Sequence, residues 1–221
     1  MATYSIQHAL QGLSGEAKDR FINTFHVSGP TTRDATVLGG MVTAIKAFYT
    51  GLASFMSGYA CGPGRTIKIY DLSDVKPRPP IWTDTETGEP FTRSSSTYLP
   101  EEVAVCLSYG ANPASGQPQG RRRGRIYLGP LNVGALGTEI TGKPSHPSTS
   151  LTAQLLAEGV TLNNALKALP GTFDWILLSP TSNTFVPLAY FAVDNAFDTQ
   201  RRRGPDPTSR IKHDSVTGAV L

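Results

Sequence analysis

Residues 20–51, RFINTFHVSGPTTRDATVLGGMVTAIKAFYTG, decide the fold, because two side-chain periods meet inside them. Over 20–28 the side chains form two rows of period two. Phe21, Asn23 and Phe25 make one row and Ile22, Thr24 and His26 the other. Aromatic and β-branched residues dominate, which predicts a strand. GPTTRD then supplies a turn and a helix start, with Thr32 or Asp34 as the N-cap. From there Val37, Leu38, Met41, Val42, Ile45, Phe48 and Tyr49 recur at helical spacing, predicting a core-facing helix that ends near Gly51.

Working outward, TIKIYDL (66–72) alternates again and reads as a strand. Residues 76–100 are rich in Pro, Ser and Thr, which predicts a long irregular loop; Trp82, Phe91 and Tyr98 suit a loop that packs on something. EEVAVCLSYG (101–110) and RIYLGPLN (125–132) read as strands. A second helix is expected from about Leu151 to Leu169. Leu151, Leu155, Leu162, Leu166 and Leu169 line one face, Ser148–Ser150 offer caps, and Pro170-Gly171 is the stop. FDWILLSP (173–180) and FVPLAYFAVDNAFD (185–198) then read as two strands joined through TSN.

The order resembles one β-α-β-β unit stated twice. It predicts an α+β fold: a mainly antiparallel sheet of about six strands with two amphipathic helices on one face. The alternative is a jelly-roll-like β-sandwich with inserted helices. Residues 1–204 are expected to form a single domain around the long loop 76–100, with 205–221 as an extended, polar C-terminal tail.

Composition narrows the function classes. Charged residues are 17% of the chain, against about 25% in a typical soluble domain. A surface short of charge is either small or covered by partners. The net charge of +3 is mild, so the basicity that matters is local. The N-terminus lacks the regions of a signal peptide and no apolar run is long enough for a bilayer, so the expectation is a soluble, intracellularly made protein with no membrane partner. Cys61 and Cys106 have no metal spacing. Cys106 reads as a buried small hydrophobe, with a Cys61–Cys106 disulfide as the alternative. His8, His26, His146 and His213 are scattered, and no pair stands at i, i+4. CGPGRT (61–66) matches neither a P-loop nor a dinucleotide fingerprint, and no cofactor is called for. Asp194 and Asp198 are a candidate carboxylate pair, read first as an arginine partner and a turn cap.

The concentrated signal is arginine. Arg121, Arg122, Arg123 and Arg125 precede one strand; Arg201, Arg202 and Arg203 follow another. If those two strands are antiparallel neighbours, both clusters meet at one sheet edge and make a phosphate-binding face. The equal alternative is pairing with carboxylates of an adjacent subunit, for which guanidinium is well shaped; the lesser one is solvated loops with no role. Tyr127, at strand alternation from Arg125, is the nearest candidate for base stacking.

LPEEVAVCLSYG (99–110), GRRRGRIYLGPLN (120–132) and VDNAFDTQRRRG (193–204) together resemble small structural proteins encoded in environmental virus genomes, coat proteins among them. The likeness covers roughly residues 99–132 and 185–204. It implies a non-enzymatic virion component made in the host cytoplasm, whose partners are copies of itself and the viral genome. The matched arginines would face genome or neighbour. Two features depart from a coat pattern: there is no long basic N-terminal arm, and the helices are more prominent than in an eight-stranded jelly roll. Both point to another shell fold or to a head–tail connector or tail-terminator ring. A nucleic-acid-binding module is the next expectation, and an enzyme holding a phosphorylated substrate comes last.

Overall fold

The computed structural model describes residues 1–11, 20–52, 54–55, 66–85, 106–110, 123–127, 148–178, 185–194 and 212–221. Along the chain lie β1 (Ala2–Gln11), β2 (Arg20–Gly29), α1 (Ala35–Gly51), β3 (Thr66–Asp71), β4 (Trp82–Thr85), β5 (Cys106–Gly110), β6 (Arg123–Tyr127), α2 (Thr149–Lys167), β7 (Asp174–Leu178), β8 (Phe185–Pro187), β9 (Tyr190–Asp194) and β10 (His213–Asp214). A six-stranded sheet has the order β4-β3-β1-β2-β7-β8, and a four-stranded sheet the order β10-β9-β5-β6. Every pairing is antiparallel. The fold is α+β, as the two periods at 20–51 predict, with a second sheet added.

Strand β1 is the first departure from the sequence reading, which used the N-terminus only to argue about a leader. It runs down the middle of the large sheet between β3 and β2. Tyr4, Ile6 and His8 form its core row, level with Val27, Phe25 and Asn23 of β2. Phe25 meets Phe48 and Tyr49 of α1 edge-on, so this row faces the helix. Asn23 and Tyr49 satisfy each other at the margin: the Asn23 amide donates to the Tyr49 hydroxyl at 2.7 Å. Such pairing is what makes a polar group tolerable there.

Both helices start where capping chemistry allows. The Asp34 carboxylate accepts from Thr36 and Val37 amides, and the Ser148 hydroxyl from Leu151. All seven residues of the predicted α1 stripe are buried. Helix α2 lies against α1 and reaches β7 and β9, so it bridges the two sheets. Arg33 closes the α1 entrance: it forks onto Asp74 at 2.8 and 3.1 Å and lies 3.3 Å from the buried Asp71 at the end of β3.

Three segments differ from expectation. Residues 82–85, inside the predicted irregular loop, form edge strand β4, because Trp82 packs toward α1 and Asp84 pairs with Lys46 at 2.8 Å; residues 86–100 lie outside the described residues. The predicted strand at 185–198 is divided between the sheets. Leu188 donates its amide to Trp175 in β7, and Ala189 donates to Gly110 in β5. The chain therefore switches sheets within two residues. Finally, the C-terminal residues 212–221 fold into a hairpin instead of extending. Asp214 Oδ1 accepts from the Val216 and Thr217 amides, and Gly218 takes the left-handed φ of +73° that the turn needs. The intervening 205–211 lie outside the described residues.

Candidate functional site

The four-stranded sheet carries what is described of the first arginine cluster. On its inner face Leu107 and Tyr109 of β5, Ile126 of β6, and Phe191 and Val193 of β9 are buried. They close on Trp175, whose ring centroid lies 4.8 Å from Tyr109 and 5.4 Å from Phe191. Burial pushes the Tyr109 phenol far above its ordinary range, so it stays neutral. Gly124 sits directly opposite Tyr109, and a Cβ there would run into the ring. Glycine interrupts the arginine run because β6 must lie flat on that ring.

Alternation then assigns the other, outer face, on which Gly110, Tyr190 and Ala192 are themselves buried. Arg123 is level with Gly110 and Tyr190, and Arg125 with Ser108 and Ala192. Positions 123 and 125 thus share one face with Tyr190. The hairpin brings Lys212 to the same face, its ammonium 5.0 Å from the Tyr190 ring centroid. The sheet joins basic positions from two distant parts of the sequence, and sequence reading missed Lys212. Nothing in a polar tail signals where it docks; only the ladder of β10 on β9 does so.

The predicted meeting of the two arginine clusters requires antiparallel neighbours, and the sheet does not supply them. β6 and β9 flank β5, one on each side, and therefore run parallel. Arg123 opens β6 beside the start of β9, whereas Asp194, after which Arg201–Arg203 follow, is level with Tyr127 at the far end. Arg121, Arg122, Arg201, Arg202 and Arg203 lie outside the described residues, as do Asp198, His146 and Cys61. Tyr127 pairs with position 106, on the outer row that alternation also gives to Arg125, so the Cys106 position is opposite the core row of Leu107 and Tyr109.

The described histidines do not converge. His8 stacks on Tyr49 at 4.1 Å in the core, and His213 Nδ1 lies 3.1 Å from the Gly218 carbonyl. His26 is on the other face of the large sheet, cross-strand from Ser5 and Ile176, and desolvation lowers its pKa. Among the described residues no group of three His, Cys, Asp or Glu could hold a metal, and no helix is long and apolar enough to cross a membrane. No protein-family model, curated protein or solved structure matches the chain.

Proposed function

We propose that the protein is a virion structural component that self-assembles, with the outer face of the four-stranded sheet turned to a polyanion or to a neighbouring copy. One observation carries this reading: Arg123 and Arg125 stand on edge strand β6, on the face to which the hairpin adds Lys212. Arginine at alternate positions of one strand suits phosphate or carboxylate, both of which guanidinium can bind bidentately. The low charged share of the chain supports burial by partners. A coat role comes first and a connector or tail-terminator ring second. The resemblance in the arginine-bearing stretches supports the virion setting.

The test is to purify the full chain and follow it by electron microscopy and light scattering, with and without nucleic acid. Closed shells are expected; rings or tubes favour the connector role. A chain that stays monomeric at high concentration and ignores polynucleotides overturns the proposal.

A further inference from the structure

We infer that the C-terminal hairpin, residues 212–221, is an exchangeable clasp: its docking groove on one copy takes the hairpin of a second copy. This rests on the self-assembly reading above and names the contact through which copies would join.

The hairpin holds its own shape. The Asp214 amide donates to Ala219 O at 2.7 Å, Gly218 N to Asp214 O at 2.9 Å and Leu221 N to Lys212 O at 2.9 Å. The Thr217 hydroxyl adds a bond to Asp214 Oδ1 at 2.9 Å. None of these contacts involves the body of the molecule, so the unit can move as a piece.

Its attachment to the body is short and mainly polar. The Ser215 amide and hydroxyl donate to the carbonyls of Ala189 and Leu188, at 3.2 and 2.8 Å, where the chain switches sheets. Asn163 on α2, fully buried, donates to Ser215 O at 3.0 Å, and Asn164 donates to Val216 O at 3.3 Å. Among the described residues two, His213 and Asp214, join the β9 ladder. The hairpin's apolar side chains contribute little to this grip: Val216, Val220 and Leu221 are 45%, 67% and 57% exposed.

The groove is thus a specific receptor for Ser215, and any copy's Ser215 satisfies it equally. Contacts made between copies are the same as those made within one, so the two forms differ chiefly in effective concentration. Residues 195–211 connect β9 to the hairpin. That length spans at most roughly 60 Å when extended, at about 3.5 Å per residue, far more than the return across one hairpin needs. An assembling surface that holds copies side by side raises the concentration of a neighbour's hairpin at the groove, and dilution lowers it.

The experiment uses two full-length chains, one N164C and one V216C, both at exposed sites, mixed during assembly and treated with a short bismaleimide. Peptide mapping identifies the 164–216 link and separates it from links through Cys61 or Cys106. Linked heterodimers are expected in assembled samples, with the doubly substituted chain linking to itself when dilute. Unsubstituted chain gives an independent check: Lys167, at the end of α2, is near enough for its charge to act on Asp214, so light and heavy-isotope copies are mixed and coupled with carbodiimide, and Lys167–Asp214 links between isotopes are scored. Particles that form with links only inside single chains in both measurements overturn the clasp and leave self-assembly standing. Links between copies at high concentration without particles keep the clasp and overturn the shell. Neither particles nor links overturns both.

Discussion

At the scale of single residues, Gly124 and His26 show how much one position decides. Gly124 leaves room for the Tyr109 ring, which in turn leans on Trp175. G124A forces the ring or β6 to move, and overpacking of this kind costs about 1–3 kcal/mol. The expected result is a chemical-denaturation midpoint shifted down, with Tyr109 fluorescence or near-ultraviolet dichroism altered. An unchanged midpoint would show that the ring is not clamped. His26 gives a pH signature. Its folded pKa is depressed below 6.5 because its charged form is desolvated. The unfolded chain therefore binds the proton first, and stability is full above about pH 6.5 and falls as pH drops below it toward the folded pKa. H26Q is expected to flatten that part of the stability–pH curve relative to the parent. Parallel curves for the two chains would contradict the sign.

At the scale of elements, caps and latches are separable. Asp34 bonds two orphan amides of α1, so D34A is expected to lower the melting temperature with the fold retained. Asn163 is different in kind: truncating it leaves the buried Ser215 carbonyl without its donor, a loss of about 1–3 kcal/mol. Because the hairpin is a small local unit, N163A is expected to speed amide exchange at Ser215 and Gly218 before it affects β1 and β2. What was legible in the sequence follows the same division. The strand at 20–28, both helices and their caps were readable, since each has a local period or a local donor–acceptor pattern. The split of 185–198 between sheets was not, because Pro187 and Leu188 look like strand residues and the switch is decided by which carbonyls wait for their amides. β4 was hidden in a proline- and threonine-rich stretch whose order comes from another element: Trp82 packs toward α1 and Asp84 pairs with Lys46 of α1. The arginine face was half legible: the residues were obvious, but the pairing of both β6 and β9 with β5 was needed to learn that they run parallel.

For the whole molecule, the two sheets have one interior. Trp175 belongs to the six-stranded sheet yet touches Phe25 of that sheet and Tyr109 and Phe191 of the other. W175A is expected to cost about 3–5 kcal/mol and to keep a single unfolding transition, with both sheets lost together. Two transitions would mean that the sheets are independent. If the outer face of the smaller sheet meets phosphate, replacing Arg123 and Arg125 by Ala should reduce the slope of log affinity against log salt by roughly one per arginine lost, with little change in melting temperature. An unaltered slope would place the polyanion elsewhere.

The run from β8 into β9 also has a mechanical meaning. It is bonded first to β7 and then, at the next residue, to β5. Tension along the β9 axis loads its rungs to β5 together, whereas tension across that axis opens them one at a time. The smaller sheet therefore resists a neighbour's pull by direction, most along its own strands.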